Sequence, residues 1–258
     1  MSSATTVTIL GSGTCVPSLR RSSCSVKVVA DGKILVMDTG PGTMRRLLET
    51  GTTIFDVSHL LYSHLHPDHT GELVPLLFAT KYPDAGRRRD PLTILAGTGF
   101  ENFLSGLRGV YGDWIDLQDG MVTLTELSTT GNDRRVFEGF TIETLPMAHR
   151  PESIGYRITG SDGRVVVYSG DTDVCENLIT LAKGADVLIC ESAFPDALKV
   201  SGHLSPSLAG EIAASANVRK LVLTHFYPEC DGVDVRKECR KTFDGELYLA
   251  EDLMQIGP

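Results

Sequence analysis

Short apolar runs broken by Gly, Asp and Pro recur along the chain, and their spacing predicts alternating strands and helices. Residues 7–10 read as a strand that runs into Gly11-Ser12-Gly13. Residues 25–30 and 33–37 flank Asp31-Gly32, which is a hairpin signal. A short helix follows the loop Asp38-Thr39-Gly40-Pro41-Gly42. The apolar run 60–62 predicts a strand that feeds a histidine-rich loop. From Glu72 to Tyr82 the spacing turns helical, with Leu73, Leu76, Leu77 and Thr80 near one face. A strand at 92–95 and an amphipathic helix over 100–110 complete this half.

The second half repeats the scheme in outline. Strands are expected at 122–127, 141–145, 155–158, 165–168, 186–190 and 221–223, and helices at 176–183 and 206–216. Ser205-Pro206 has the form of an N-cap followed by proline at the first helical position. Two strand-rich halves, each trailing helices, predict an α/β fold with sheet packed on sheet and helices outside. No Pro/Ser-rich linker separates the halves, so residues 1–258 are expected to form one domain.

Composition narrows the function. Of 258 residues 41% are apolar, enough for a sizeable core, and no run approaches the roughly 18 apolar residues that span a bilayer. The start of the chain has no basic segment followed by an apolar run, so a cytoplasmic protein with no membrane partner is expected. The 24 Lys and Arg against 33 Asp and Glu leave a net charge of −9, which argues against a broad nucleic-acid-binding face. Six cysteines without a CxxC pair read as reduced structural residues.

The sharpest chemical signal is Ser63-His64-Leu65-His66-Pro67-Asp68-His69-Thr70-Gly71. It puts four potential ligands within six positions just after an apolar strand. In extended backbone His64 and His66 point the same way, and the turn into the helix lets Asp68 and His69 face a second point nearby, an arrangement suited to two metals. Imidazole and carboxylate without thiolate favour Zn(II), with Mn(II) or Fe(II) as alternatives. His149, Asp171 and His225 each follow a predicted strand, where a ligand projects from rigid backbone. A lone strand-end residue of this kind is more often a turn or cap.

Taken in order, HxHxDH, His149, Asp171 and His225 resemble the metallo-β-lactamase fold superfamily. Leu10-Gly11-Ser12-Gly13, Asp38-Thr39-Gly40 and Gly202-His203 resemble its ribonuclease Z-like branch. The resemblance implies a four-layered αββα sandwich with two Zn(II) ions at the mouth between the sheets. His64, His66 and His149 would hold one ion, Asp68, His69 and His225 the other, and Asp171 would bridge them. A dinuclear hydrolase of this kind acidifies a water so that hydroxide attacks in line. Asp68 would orient the hydroxide, and His203, supported by Glu191, would be the general acid that protonates the leaving alkoxide.

Two divalent ions balanced by Asp68, Asp171 and a hydroxide leave a site of about +1, which attracts an anionic phosphodiester despite the acidic chain. The branch pattern is incomplete. Pro17-Ser18-Leu19-Arg20-Arg21-Ser22 keeps the Pro and one Arg of the Pro-x-Lys-x-Arg-Asn loop of tRNA-processing enzymes, but has Leu19 for Lys and Ser22 for Asn. Only 21 residues separate His149 from Asp171, too few for the tRNA-gripping arm. The expected substrate is therefore a small phosphodiester or a short single-stranded nucleic acid, with tRNA disfavoured. Alternatives are a tRNA 3′-processing ribonuclease Z, a lactone or carboxyl-ester hydrolase, and a non-catalytic metal-binding protein. A homodimer is implied by the resemblance. His59 is expected at the surface where its strand begins, and Arg87-Arg88-Arg89 as a solvated run.

Overall fold

The computed structural model describes residues 4–81 and 88–257, so Tyr82 and Arg87 lie outside the described residues. In the first half β1 (Thr6–Gly11), β2 (Ser25–Ala30) and β3 (Lys33–Met37) pair antiparallel. β4 (Val57–Tyr62), β5 (Leu92–Gly97) and β6 (Val122–Leu127) then extend the sheet in parallel. Parallel neighbours need crossovers, and helices supply them: α1 (Thr43–Glu49) before β4, α2 (Pro67–Thr70) and α3 (Leu73–Lys81) before β5, and α4 (Phe100–Tyr111) before β6.

The second half follows the same plan. β7 (Asp133–Phe137), β8 (Phe140–Pro146), β9 (Ile154–Gly160) and β10 (Val165–Tyr168) are antiparallel, while β11 (Val187–Glu191), β12 (Lys220–Thr224) and β13 (Glu246–Leu249) continue in parallel. Their crossovers are α5 (Glu176–Ala182), α6 (Pro206–Ser215) and α7 (Val235–Cys239). The last strand, β14 (Gln255–Ile256), returns to pair with β1, giving two sheets of seven strands.

The period-two alternation explains the layering. Leu35, Met37 and Leu61 join a buried cluster that holds Ile142, Tyr156 and Ile158 of the second sheet. Their neighbours Val36, Leu60 and Tyr62 join another cluster, with Leu47 of α1, Leu76 of α3 and Phe100 of α4. Strands covered on both faces read as continuous apolar runs, which is why 165–168 and 221–223 were legible. The result is the αββα sandwich. Among the described residues no helix is long and apolar enough to cross a membrane.

Two expectations fail. His59 lies inside β4, buried, with its ring edge-on to Phe137 and Phe140 at 5.0 and 5.2 Å. Of the arginine run, Arg88 is buried rather than solvated, and it donates to the carbonyls of Val57 and Ile54. Ser205 does occupy the N-cap position with Pro206 next, but its hydroxyl makes no cap bond. Asp196 instead accepts the backbone N–H of Ser207 at 3.0 Å.

Candidate metal centre

Most of the chemically distinctive residues sit at or just beyond a strand's carboxyl end, where a side chain projects into the crevice between the sheets. Asp38 follows β3, Ser63 and His64 follow β4, His149 follows β8, Asp171 follows β10, Glu191 ends β11, and His225 follows β12. β4 delivers His64 directly. Pro67 then opens the one-turn helix α2, with His66 at its N-cap, and this tight turn carries Asp68 and His69 inward. Gly170, with φ near 58°, passes so close to Ser63 that a Cβ there would lie 2.5 Å from the serine Cβ. That close approach puts Asp171 against the histidine loop.

The ligand-type atoms of the described residues fall into three overlapping groups, the atoms of each within 4.8 Å of one another. His64, His66, His149 and Asp171 form the first, Asp68, His69 and His225 the second, and a third brings His203 to Asp171 and His225. Across the first group His149 Nε2 lies 3.3 Å from His66 Nδ1, and across the second His69 Nε2 lies 3.3 Å from His225 Nε2. Ligands about 2.0–2.1 Å from a tetrahedral ion are separated by about 3.3 Å, so these spacings fit a metal. Asp171 stands between the first two groups. Its Oδ2 is 3.5 Å from His64 Nε2, and its Oδ1 is 3.2 Å from His69 Nε2 and 3.3 Å from His225 Nε2.

The polar bookkeeping also fits a cation. His64 Nε2 and Asp171 Oδ1 are buried without a hydrogen-bond partner, a costly condition that a divalent ion relieves. Burial holds His64, His66 and His149 below the ordinary imidazole value, which leaves the neutral form that ligates metals. Burial works the same way on His69, but the Asp171 and Asp38 carboxylates outweigh it and draw positive charge to this point. Burial would raise Asp68 and Asp171, and neighbouring histidines, His225 and His69 among them, push both down into the carboxylate form.

Ring orientation is set from behind. Ser63 Oγ lies 3.0 Å from His64 Nδ1, and the Gly202 carbonyl accepts from His149 Nδ1 at 2.8 Å. Asp38 accepts from His69 Nδ1 at 2.7 Å, from the Ser63 N–H at 2.8 Å and hydroxyl at 2.7 Å, and from the Tyr168 hydroxyl at 2.7 Å. The sequence pointed to Asp38 only as part of a turn. Its signal was positional, since it ends an apolar strand just as Asp171 does.

His203 lies beside the cluster, its ring 5.0 Å from that of His149 and 5.6 Å from that of His225. Its Nδ1 donates to Glu191 Oε1 at 2.9 Å. Glu191 is fully buried and also accepts from the N–H groups of Thr172 and Leu204. Burial opposes charge on both partners. Glu191 is held above the usual carboxylate range, and its bond to His203 still lifts the imidazole above its ordinary value. A cavity of about 440 Å³ opens beside Asp68 and is walled by Pro17, Ser18 and Arg21, the loop that departs from the tRNA-processing pattern. Where the arm would insert, β9 and β10 pair as a hairpin.

A family model described as a beta-lactamase superfamily domain matches residues 33–226. The uncharacterized protein Rv1339 of Mycobacterium tuberculosis is 34% identical over 217 residues, covering 83% of this chain and 77% of that one. Ribonuclease Z of Methanosarcina acetivorans is 26% identical over 304 residues, 97% of each chain. The solved structure of YhfI from Bacillus subtilis, described as a metallo-beta-lactamase fold protein, has a TM-score of 0.83 at 23% identity, covering 99% of this chain and 100% of that one. The matched span opens with β3 and closes just past His225, taking in the ligand groups, and the chain accordingly belongs to the metallo-β-lactamase superfamily of metal-dependent hydrolases.

Proposed function

We propose that the chain is a dinuclear zinc hydrolase of phosphodiesters, acting on small or single-stranded nucleotide substrates. His64, His66 and His149 would hold one ion, Asp68, His69 and His225 the other, with Asp171 shared. When bound, the ions would polarise the phosphoryl oxygens and bring the acidity of a water into the neutral range. Asp68 accepts a proton at its carboxylate and orients the attacking group. His203 carries the proton for the leaving alkoxide on Nε2, since its Nδ1–H is committed to Glu191.

The observation that carries this reading is the His203–Glu191 pair beside seven convergent ligand-type residues. An alkoxide expelled from phosphorus is a poor leaving group and needs a proton, whereas the tetrahedral adduct of an ester or lactone expels its alkoxide with less help. The purified protein loaded with Zn(II) or Mn(II) should hydrolyse bis(p-nitrophenyl) phosphate. Absence of turnover across several divalent metals would sink the proposal.

The relationship to a ribonuclease Z favours cleavage of precursor tRNA as a second reading. Leu19 and Ser22 in the cavity loop, the hairpin between His149 and Asp171, and the net charge of −9 make it the weaker one, because phosphate contacts supply much of the affinity for structured RNA. A precursor tRNA tested beside a dinucleotide separates the two. The homodimer implied by the resemblance belongs to the same proposal, and light scattering tests it.

A further inference from the structure

Between β11 and α6 the chain turns through Asp196–Leu198 and Lys199 to reach Gly202 and His203. A Lys–Asp ion pair fastens this turn to the loop that follows β10. Lys199 Nζ lies 2.7 Å from both oxygens of Asp173. Asp173 also accepts the Gly202 N–H at 2.9 Å, and its own N–H donates to the Ala148 carbonyl at 2.9 Å. The Gly202 carbonyl in turn accepts from His149 Nδ1 at 2.8 Å. One residue is thus held through its N–H by Asp173 and through its carbonyl by a ligand-type histidine, and the next residue is His203.

The backbone leaves little slack. Gly202 has φ near 86°, a left-handed conformation, and a Cβ there would stand 3.2 Å from His149 Nδ1. A turn pressed this close to the centre transmits small displacements directly to the His203 ring. The pair itself is partly exposed, with side-chain accessibilities of 29% for Lys199 and 25% for Asp173. Partly exposed ion pairs contribute little to global stability, so its use lies in where it holds the turn.

We propose that Lys199 and Asp173 are positioning residues: their ion pair fixes the Gly202 peptide and thereby aims His203 at the leaving group. The inference rests on the phosphodiesterase reading for its kinetic consequence and on hydrogen-bond geometry alone for its structural one. Without the lysine, Asp173 gains an uncompensated charge and freedom to rotate, and the Gly202 N–H loses a fixed acceptor. His203 keeps its bond to Glu191 but loses its register with the substrate.

The test compares wild type, Lys199→Met, Lys199→Arg and His203→Ala, loaded with zinc, on two diesters. Bis(p-nitrophenyl) phosphate expels an anion that needs no proton, and a dinucleotide expels an alkoxide that does. We expect Lys199→Met to lower kcat on the dinucleotide by about tenfold or more, a fraction of full general-acid loss. On the p-nitrophenyl ester the loss should stay within about threefold, with KM and zinc content unchanged. Lys199→Arg should retain most of the activity. Equal loss on both diesters, or no loss where His203→Ala discriminates between them, overturns the inference.

Amide hydrogen exchange gives a readout independent of turnover. In Lys199→Met the Gly202 amide should exchange about tenfold faster or more than in wild type, while the strand amides keep their rates. Unchanged exchange at Gly202 overturns the clasp. If wild type turns over neither diester, the phosphodiesterase reading fails and the exchange result alone decides whether the pair holds the turn.

Discussion

Asp38 and His69 meet 2.7 Å apart with both side chains wholly buried, and the Asp38 carboxylate accepts the Nδ1–H that fixes the ring. This leaves His69 Nε2 directed at the second ligand group. A carboxylate behind a ligating histidine raises its basicity and fixes its orientation. Asp38 itself has a left-handed φ near 57°, which Asn tolerates well, so Asp38→Asn tests the charge with little backbone cost. We expect zinc affinity to fall by about 10–100-fold, measured by titration against a competing chelator. Asp38→Ala should be worse. It strands the donors of Ser63, Tyr168 and His69 in the interior, and melting should show a clear loss of stability.

Asp171 and His225 separate the first two ligand groups experimentally. The carboxylate of Asp171 faces histidines of both groups, whereas His225 sits with Asp68 and His69, 3.5 Å from Asp68, and meets the first group through the shared Asp171. Asp171→Ala should therefore reduce occupancy of both ions and His225→Ala mainly of one. Metal analysis after gel filtration distinguishes these outcomes, and equal losses in the two variants would contradict the shared role given to Asp171.

His203 should matter for chemistry and not for metal retention. His203→Ala is expected to slow cleavage of an alkyl phosphodiester by about 10²-fold or more with zinc content unchanged. Glu191→Gln adds a pH test. The Glu191 carboxylate stabilises the His203 imidazolium, so its loss lowers the His203 pKa. A general acid must be protonated to act, and the alkaline limb of the rate profile should accordingly move to lower pH. An unmoved limb would remove His203 from the proton-transfer step.

The strands buried on both faces were legible because their apolar runs are continuous, and HxHxDH was legible because local backbone alone brings its members together. Three of the four edge strands were not, although β6 was expected at 122–127. β7 reads Asp-Arg-Arg-Val-Phe, polar on an exposed edge, β13 is a four-residue edge strand, and β14 is two residues long and pairs with β1 at the far end of the chain. Arg88 looked solvated because charge is the local signal, yet its guanidinium serves carbonyls of residues more than thirty positions away. Asp38, Asp173 and Lys199 act through partners the sequence does not place beside them. The two-sheet architecture came from pattern and resemblance, as did the seven side chains that converge between the sheets, while the supporting hydrogen bonds join segments whose spacing carries no local signal.

His59 shows what such a misreading conceals. Its ring is packed edge-on against Phe137 and Phe140, and burial, helped by Lys33, pushes its pKa down to about 4 from 6.5. A histidine depressed in the folded state binds fewer protons there than in the unfolded chain. Its contribution is therefore fully present above pH 6.5 and is lost as pH falls from 6.5 towards 4. At pH 5 the linkage amounts to about 2 kcal/mol as an upper limit. His59→Phe keeps an aromatic ring in this cluster and removes the titration. Urea unfolding of wild type and variant at pH 7.5 and pH 5 should show wild type losing more stability on acidification, by up to about 2 kcal/mol. Effects of acid on the metal centre act on both proteins and cancel in the difference, so equal losses would mean that His59 is not buried neutral.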